Sequence, residues 1–177
     1  IESQINVKCK GDATGSVIIA STGGTGPYSV SPSNSALTAG IKHFTVTDAR
    51  GCTTTVDATI TEPTDVLTAS ITRQKNVTCF GNSDGEVTIN PSGGTAPYTI
   101  IPPKTGLSAG TYTFLVQDAN LCSVTLQATI TQPAELQASI TAKTDVLCNG
   151  ASTGSATVTP VGGTGPYTYD WGVIGQT

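Results

Sequence analysis

Apolar and polar residues alternate with a spacing of two through much of this chain. Val17 and Ile19, Phe44 and Val46, Val87 and Ile89, and Phe114 and Val116 are such pairs, and Cys122, Val124, Leu126, Ala128 and Ile130 run on without a break. A spacing of two puts neighbouring side chains on opposite faces of an extended backbone, so each run predicts a strand with one face buried and the other wet. Glycine and proline interrupt these runs every eight to twelve residues, predicting six or seven short strands in about 70 residues. A single layer cannot bury such strands, so two sheets are expected to close on each other.

The pattern repeats. Cys9, Cys79 and Cys148 each stand 14 residues before a diglycine, at Gly23, Gly93 and Gly162, which opens GGTGPY, GGTAPY and GGTGPY in turn. Asp48 and Asp118, Cys52 and Cys122, and Pro63 and Pro133 are also 70 positions apart, and the register slips by one only after Pro133. That slip locates the linkers and divides the chain into repeats at 1–64, 65–134 and 135–177. Ile1 aligns with Ile71 and Ile140, so the first repeat is expected to begin partway along a strand, and the third to stop before its second cysteine. The fold class predicted is all-β: tandem immunoglobulin-like β-sandwich repeats of about 70 residues. A continuous solenoid is the competing architecture, although its units are usually shorter.

Composition narrows the function. The chain of 177 residues has a net charge of −4, only 11% charged residues, 32 threonines, 20 glycines and 10 prolines. This excludes a nucleic-acid binder and argues against long helices. No apolar run reaches the 18 residues of a membrane span.

Two cysteines 43 positions apart in each complete repeat predict one intradomain disulfide each, Cys9 to Cys52 and Cys79 to Cys122, with Cys148 left unpaired by truncation. Disulfides imply an oxidising compartment, and a loop of that length is worth roughly 4 kcal/mol. Zinc does not fit, since there is no CxxC and one histidine, His43, expected to be an ordinary strand residue. No cofactor is expected; calcium at the joints is the alternative, with Glu62, Asp65, Glu135 and Asp145 near them, although each joint offers only one or two acids and calcium takes about six to eight oxygens.

The glycine string reads as a tight turn rather than a phosphate loop, because it leads into a strand and not a helix. Gly23, Gly24, Gly93, Gly94, Gly162 and Gly163 are expected to supply positive φ. Pro27, Pro97 and Pro166 fix the next φ, and Tyr28, Tyr98 and Tyr167 are expected to start the returning strand against the core. Asp48 and Asp118 are expected to accept hydrogen bonds from their own hairpin turns. Asp12 and Asp84 occupy a similar turn that has no acid in the third repeat, and Asn76 heads a single glycosylation sequon. No catalytic constellation repeats, so the chain is not expected to be an enzyme.

The ordered string C-x-G, GGTGPYTY, AGTYTF, V-x-D-A-x-x-C and TITQP resembles the SprB-type repeat of large cell-surface adhesins in gliding Bacteroidota. Gly93 to Tyr98, Ala109 to Tyr112, Asp118 to Cys122 and Thr129 to Pro133 carry the resemblance. The family's tryptophan is present only as Trp171, with Pro32 and Pro102 at the aligned positions. The resemblance implies a very long protein, exported by the type IX route, displayed on the bacterial surface and used in gliding, with no catalytic residues. The role expected is a structural stalk that spaces an adhesive tip and transmits force to it. Its partners are neighbouring repeats, with surface polysaccharide or the gliding machinery reached through other regions. A carbohydrate- or cell-binding module and a static filament or layer are the alternatives.

Overall fold

In the computed structural model, which describes residues 1–172, every regular element is a strand. The first repeat supplies β1 (Ser3–Ile5), β2 (Ser16–Ile18), β3 (Ser29–Ser31), β4 (Gly40–Thr47) and β5 (Thr53–Ile60). The second supplies β6 (Thr68–Lys75), β7 (Gly85–Ser92), β8 (Thr99–Ile101), β9 (Thr105–Leu107), β10 (Gly110–Gln117) and β11 (Ser123–Ile130). The third supplies β12 (Gln137–Thr144) and β13 (Ser155–Val161). The sheets are β1-β2, β3-β4-β5, β6-β7-β9, β8-β10-β11 and β12-β13.

By compactness the chain divides into two units. One holds Ile1–Thr72, Ile89–Pro102 and Thr113–Leu126, and the other holds Arg73–Thr88, Pro103–Tyr112 and the chain from Gln127 on.

In the first unit β4 and β5 pair antiparallel along their whole length, from Gly40 opposite Ile60 to Thr47 opposite Thr53. Their alternation turns Phe44, Ala58 and Ile60 inward, where they meet Val7, Val17 and Leu37 in one apolar cluster. Ile19, Val30 and Val56 pack against its margin. The positions 70 further on are buried as well: Val77, Val87, Leu107, Phe114, Ala128 and Ile130. The spacing of two therefore located the inward residues of both complete repeats.

The third repeat differs. Ala156 is exposed and Val158 only half-buried, although both stand at inward positions of the pattern. Among the described residues that repeat has only the β12-β13 hairpin, and no second sheet of its own covers the inward face.

One glycine in each complete repeat is fixed by packing. A Cβ on Gly85 would lie 2.7 Å from the Leu107 carbonyl oxygen and 2.8 Å from Cγ2 of Ile130; on Gly15 it would lie 2.8 Å from the Leu37 oxygen and 2.9 Å from Cγ2 of Ile60. Gly85→Ala is expected to cost about 2 kcal/mol by overpacking, read as a lower denaturation midpoint at unchanged m-value.

Candidate functional site: a stapled turn

The turn between β10 and β11 is organised by Asp118, whose residue is 3% exposed. One carboxylate oxygen accepts the backbone N–H groups of Asn120 and Cys122, both at 2.9 Å. The other accepts the N–H of Thr95 at 2.9 Å, from the glycine string 23 residues earlier. Asp48 repeats the arrangement with Arg50, Cys52 and Thr25 at 2.9, 2.8 and 3.0 Å. Hydrogen bonds from Thr25 and then Cys52 hold the Asp48 carboxyl below the usual carboxylate range. The expected bonding of each Asp to its own turn is present. The clamp onto the glycine string was not foreseen.

That clamp explains the second glycine of the pair. Gly94 has a φ of 60°, and a Cβ there would meet Oδ2 of Asp118 at 2.6 Å. Two of the three tyrosines correct the sequence reading, while Tyr98 is half-buried. Tyr28 and Tyr167 are 41% and 38% exposed, so they do not pack into the core. Each hydroxyl instead donates to the first glycine carbonyl of its own string, Gly23 at 2.5 Å, Gly93 at 2.7 Å and Gly162 at 2.6 Å. A phenolic ring with a hydroxyl partner on the loop is satisfied at the surface, so nothing draws it inward.

The linkers run across the diglycines. Gly94 donates its N–H to the Asp65 carbonyl at 2.9 Å, and Gly163 donates to that of Ala134 at 2.8 Å. A Cβ on Gly93 would sit 2.1 Å from the Val66 carbonyl oxygen, and one on Gly162 would sit 2.0 Å from that of Glu135. The glycines are thus needed for the passage of the incoming chain as well as for turn geometry.

The disulfide departs from the expected pairing. Cys9 bonds Cys122, with a Cα–Cα separation of 5.6 Å and a sequence separation of 113, while Cys52, Cys79 and Cys148 are exposed free thiols. One bridge inside each complete repeat, Cys9 to Cys52 and Cys79 to Cys122, is not what forms. The reason is strand length. Val7, two residues before Cys9, donates its N–H to the Thr61 carbonyl, just past the end of β5, whereas Cys52 immediately precedes the start of that strand. An eight-residue strand keeps the two cysteines on the order of 25 Å apart, far beyond the roughly 7 Å limit for a bridge.

Around the bridge, Asn120 Nδ2 donates to the Lys8 carbonyl at 3.1 Å, and the Lys10 ammonium donates to the Thr64 carbonyl. Glu62 caps the turn by accepting the Gly11 N–H at 2.7 Å. Gln132 does the same for Gly81 at 2.9 Å, so this position near the joint needs an acceptor oxygen and not a charge. Among the described residues no three His, Cys, Asp or Glu side chains gather as a metal site would require.

The remaining candidates are structural in setting. His43 Nδ1 lies 2.7 Å from Asp57 on the facing strand, both side chains mostly exposed. Asn76 accepts the Thr131 N–H at 3.1 Å, as Asn6 does for Thr61. Trp171 is 57% exposed. Asp84 aligns with Thr14 and Thr153 rather than with Asp12. It accepts the Thr78 N–H at 3.0 Å, the Thr78 hydroxyl at 2.9 Å and the Lys75 ammonium at 3.0 Å. The Thr78 N–H first, with Lys75 and the Thr78 hydroxyl after it, lowers the Asp84 pKa to about 2. Because the folded value is depressed, this clasp stabilises fully above the unfolded carboxyl range and is lost as pH falls through about 2. An NMR titration is expected to show the Thr78 amide following that midpoint.

The SprB repeat family model matches residues 1–36, 71–100 and 140–172, together more than half of the chain. The chain belongs to the SprB repeat family. The three matches begin at Ile1, Ile71 and Ile140, the positions the internal alignment equates. No curated protein and no solved structure matches the chain. SprB membership implies a repeat region of a cell-surface gliding adhesin, outside the cell, and the family is structural rather than enzymatic. No helix among the described residues is long and apolar enough to cross a membrane.

Proposed function

We propose that these SprB repeats are immunoglobulin-like sandwiches forming a load-bearing stalk, which spaces an adhesive tip from the cell and carries force to it. One observation supports the reading above the others: the bridge from Cys9 to Cys122 joins the first repeat covalently to the second. Tension entering at the start of the chain crosses at Cys9 and leaves at Cys122, so the residues between them carry none of it. A bridge within one repeat would protect that repeat alone and leave the joint to stretch. The linker ahead of the third repeat, which lies beyond the bridge, serves the same end, because its Ala134 carbonyl is held by the Gly163 N–H rather than free.

Single-molecule pulling on the chain by its two ends tests this. Reduction is expected to release a further extension of about 380 Å, the length of a sequence separation of 113 at extended spacing. Equal extension in oxidising and reducing buffer overturns the load-bearing reading.

A further inference from the structure

Cys52 occupies in the first repeat the place that Cys122 occupies in the second. It follows the same aspartate-centred turn, and its N–H is held by Asp48 as that of Cys122 is held by Asp118. Beside it lies a groove of about 390 Å³ whose lining includes Ile1, Ile19, Tyr28, Val56 and Asp48. In the second repeat the corresponding end is partly covered by the first repeat and the linker: Cys9 bonds Cys122, the Lys8 carbonyl accepts from Asn120, the Asp65 carbonyl accepts from Gly94, and Leu67 is 7% exposed.

A second observation points the same way. The diglycines of the second and third repeats are each crossed by a linker, and a Cβ on Gly93 or Gly162 would collide with its carbonyl. Gly23 has nothing within 4 Å of the same position, although it too has a φ of 77°. The first repeat therefore offers the same passage, with the same positive φ. The entering element is equally uniform. The turns at Cys9, Cys79 and Cys148 each close with a 3.1 Å hydrogen bond from the N–H three residues on to the cysteine carbonyl, and the thiols of Cys79 and Cys148 are exposed.

We propose that the groove beside Cys52 is the seat of another SprB repeat in tandem, which lays its linker over Gly23 and Gly24 and bonds its first cysteine to Cys52. The inference rests on the stalk reading and makes the staple a rule: the first cysteine of one repeat pairs with the second cysteine of the next. Arg50, standing where Asn120 stands, offers a donor for the carbonyl that precedes the incoming cysteine. In forming the bond the two thiols give up two protons and two electrons to a disulfide oxidant, which leaves as two thiols. Successive loops of this kind interleave, since Cys79 lies inside the span closed by Cys9 and Cys122.

The test is the full chain with a copy of residues 65–139 placed ahead of Ile1, so that the added Ser139 precedes Ile1 as the original precedes Ile140. Cys79→Ser in the original copy keeps the added cysteine unambiguous. After oxidation with oxidised glutathione, alkylation and non-reducing peptide mapping, alkylation of Cys52 is expected to be lost, with its peptide joined to that of the added Cys79. Cys52 alkylated while the Cys9–Cys122 peptide is present overturns the groove assignment and leaves the stalk standing. Absence of the Cys9–Cys122 peptide as well overturns both.

Discussion

Serine in place of Cys9 is expected to lower the stability of the oxidised chain by about 4 to 5 kcal/mol, the loop-closure value for a bridge spanning a sequence separation of 113. Serine at Cys122 is expected to do the same, and the double variant no more than either single one, because both remove one bond. Serine at Cys52 or Cys79 is expected to change stability by less than about 0.5 kcal/mol, since both are exposed free thiols. Urea denaturation of the four single variants and the double variant in oxidising buffer checks the set. Bridges confined to single repeats would make all four substitutions costly, so the pattern across the set discriminates as well as the size of the loss.

Asp118→Ala is expected to cost about 3 to 5 kcal/mol, because it leaves the amides of Thr95, Asn120 and Cys122 without their acceptor at a buried position. Asp118→Asn retains one acceptor oxygen and is expected to lose less. The same change at the half-buried Asp48 is expected to do less harm, as water reaches its amides more readily. Thermal melting ranks the three. Asp118→Ala carries a second readout: with the turn before Cys122 unlocked, the Cys9–Cys122 bridge is expected to form more slowly during oxidative refolding, measured by thiol trapping.

Much of this was legible in the chain. Alternation at a spacing of two named Phe44, Val46, Phe114 and Val116 as inward residues, and all four are buried. The hairpin aspartates and the diglycines were legible because their chemistry is local: a turn needs an acceptor and a positive φ wherever it occurs. What could not be read was anything that depends on where two distant pieces meet. An even cysteine count is satisfied equally by a bridge inside a repeat and by one to the next, and only the eight-residue length of β5 separates the two answers. The same holds for Tyr28: a spacing of two gives it a face, but not the Gly23 carbonyl that keeps its hydroxyl at the surface. Asp84 was grouped with Asp12 as part of a similar turn, while the spacing of 70 sets it against Thr14, whose hydroxyl oxygen accepts the Lys8 N–H as Asp84 accepts that of Thr78.

The bridge between Cys9 and Cys122 also bears on how such a protein ages outside a cell. Cutting the backbone at any exposed loop between those two residues leaves the fragments fastened to each other through sulfur. A protease that nicks the chain there gains no release of what lies beyond the cut. If each repeat is fastened to its successor in this way, a thread exposed to hostile enzymes keeps its length after many single wounds, and parts only where a nick and a reduced bond coincide.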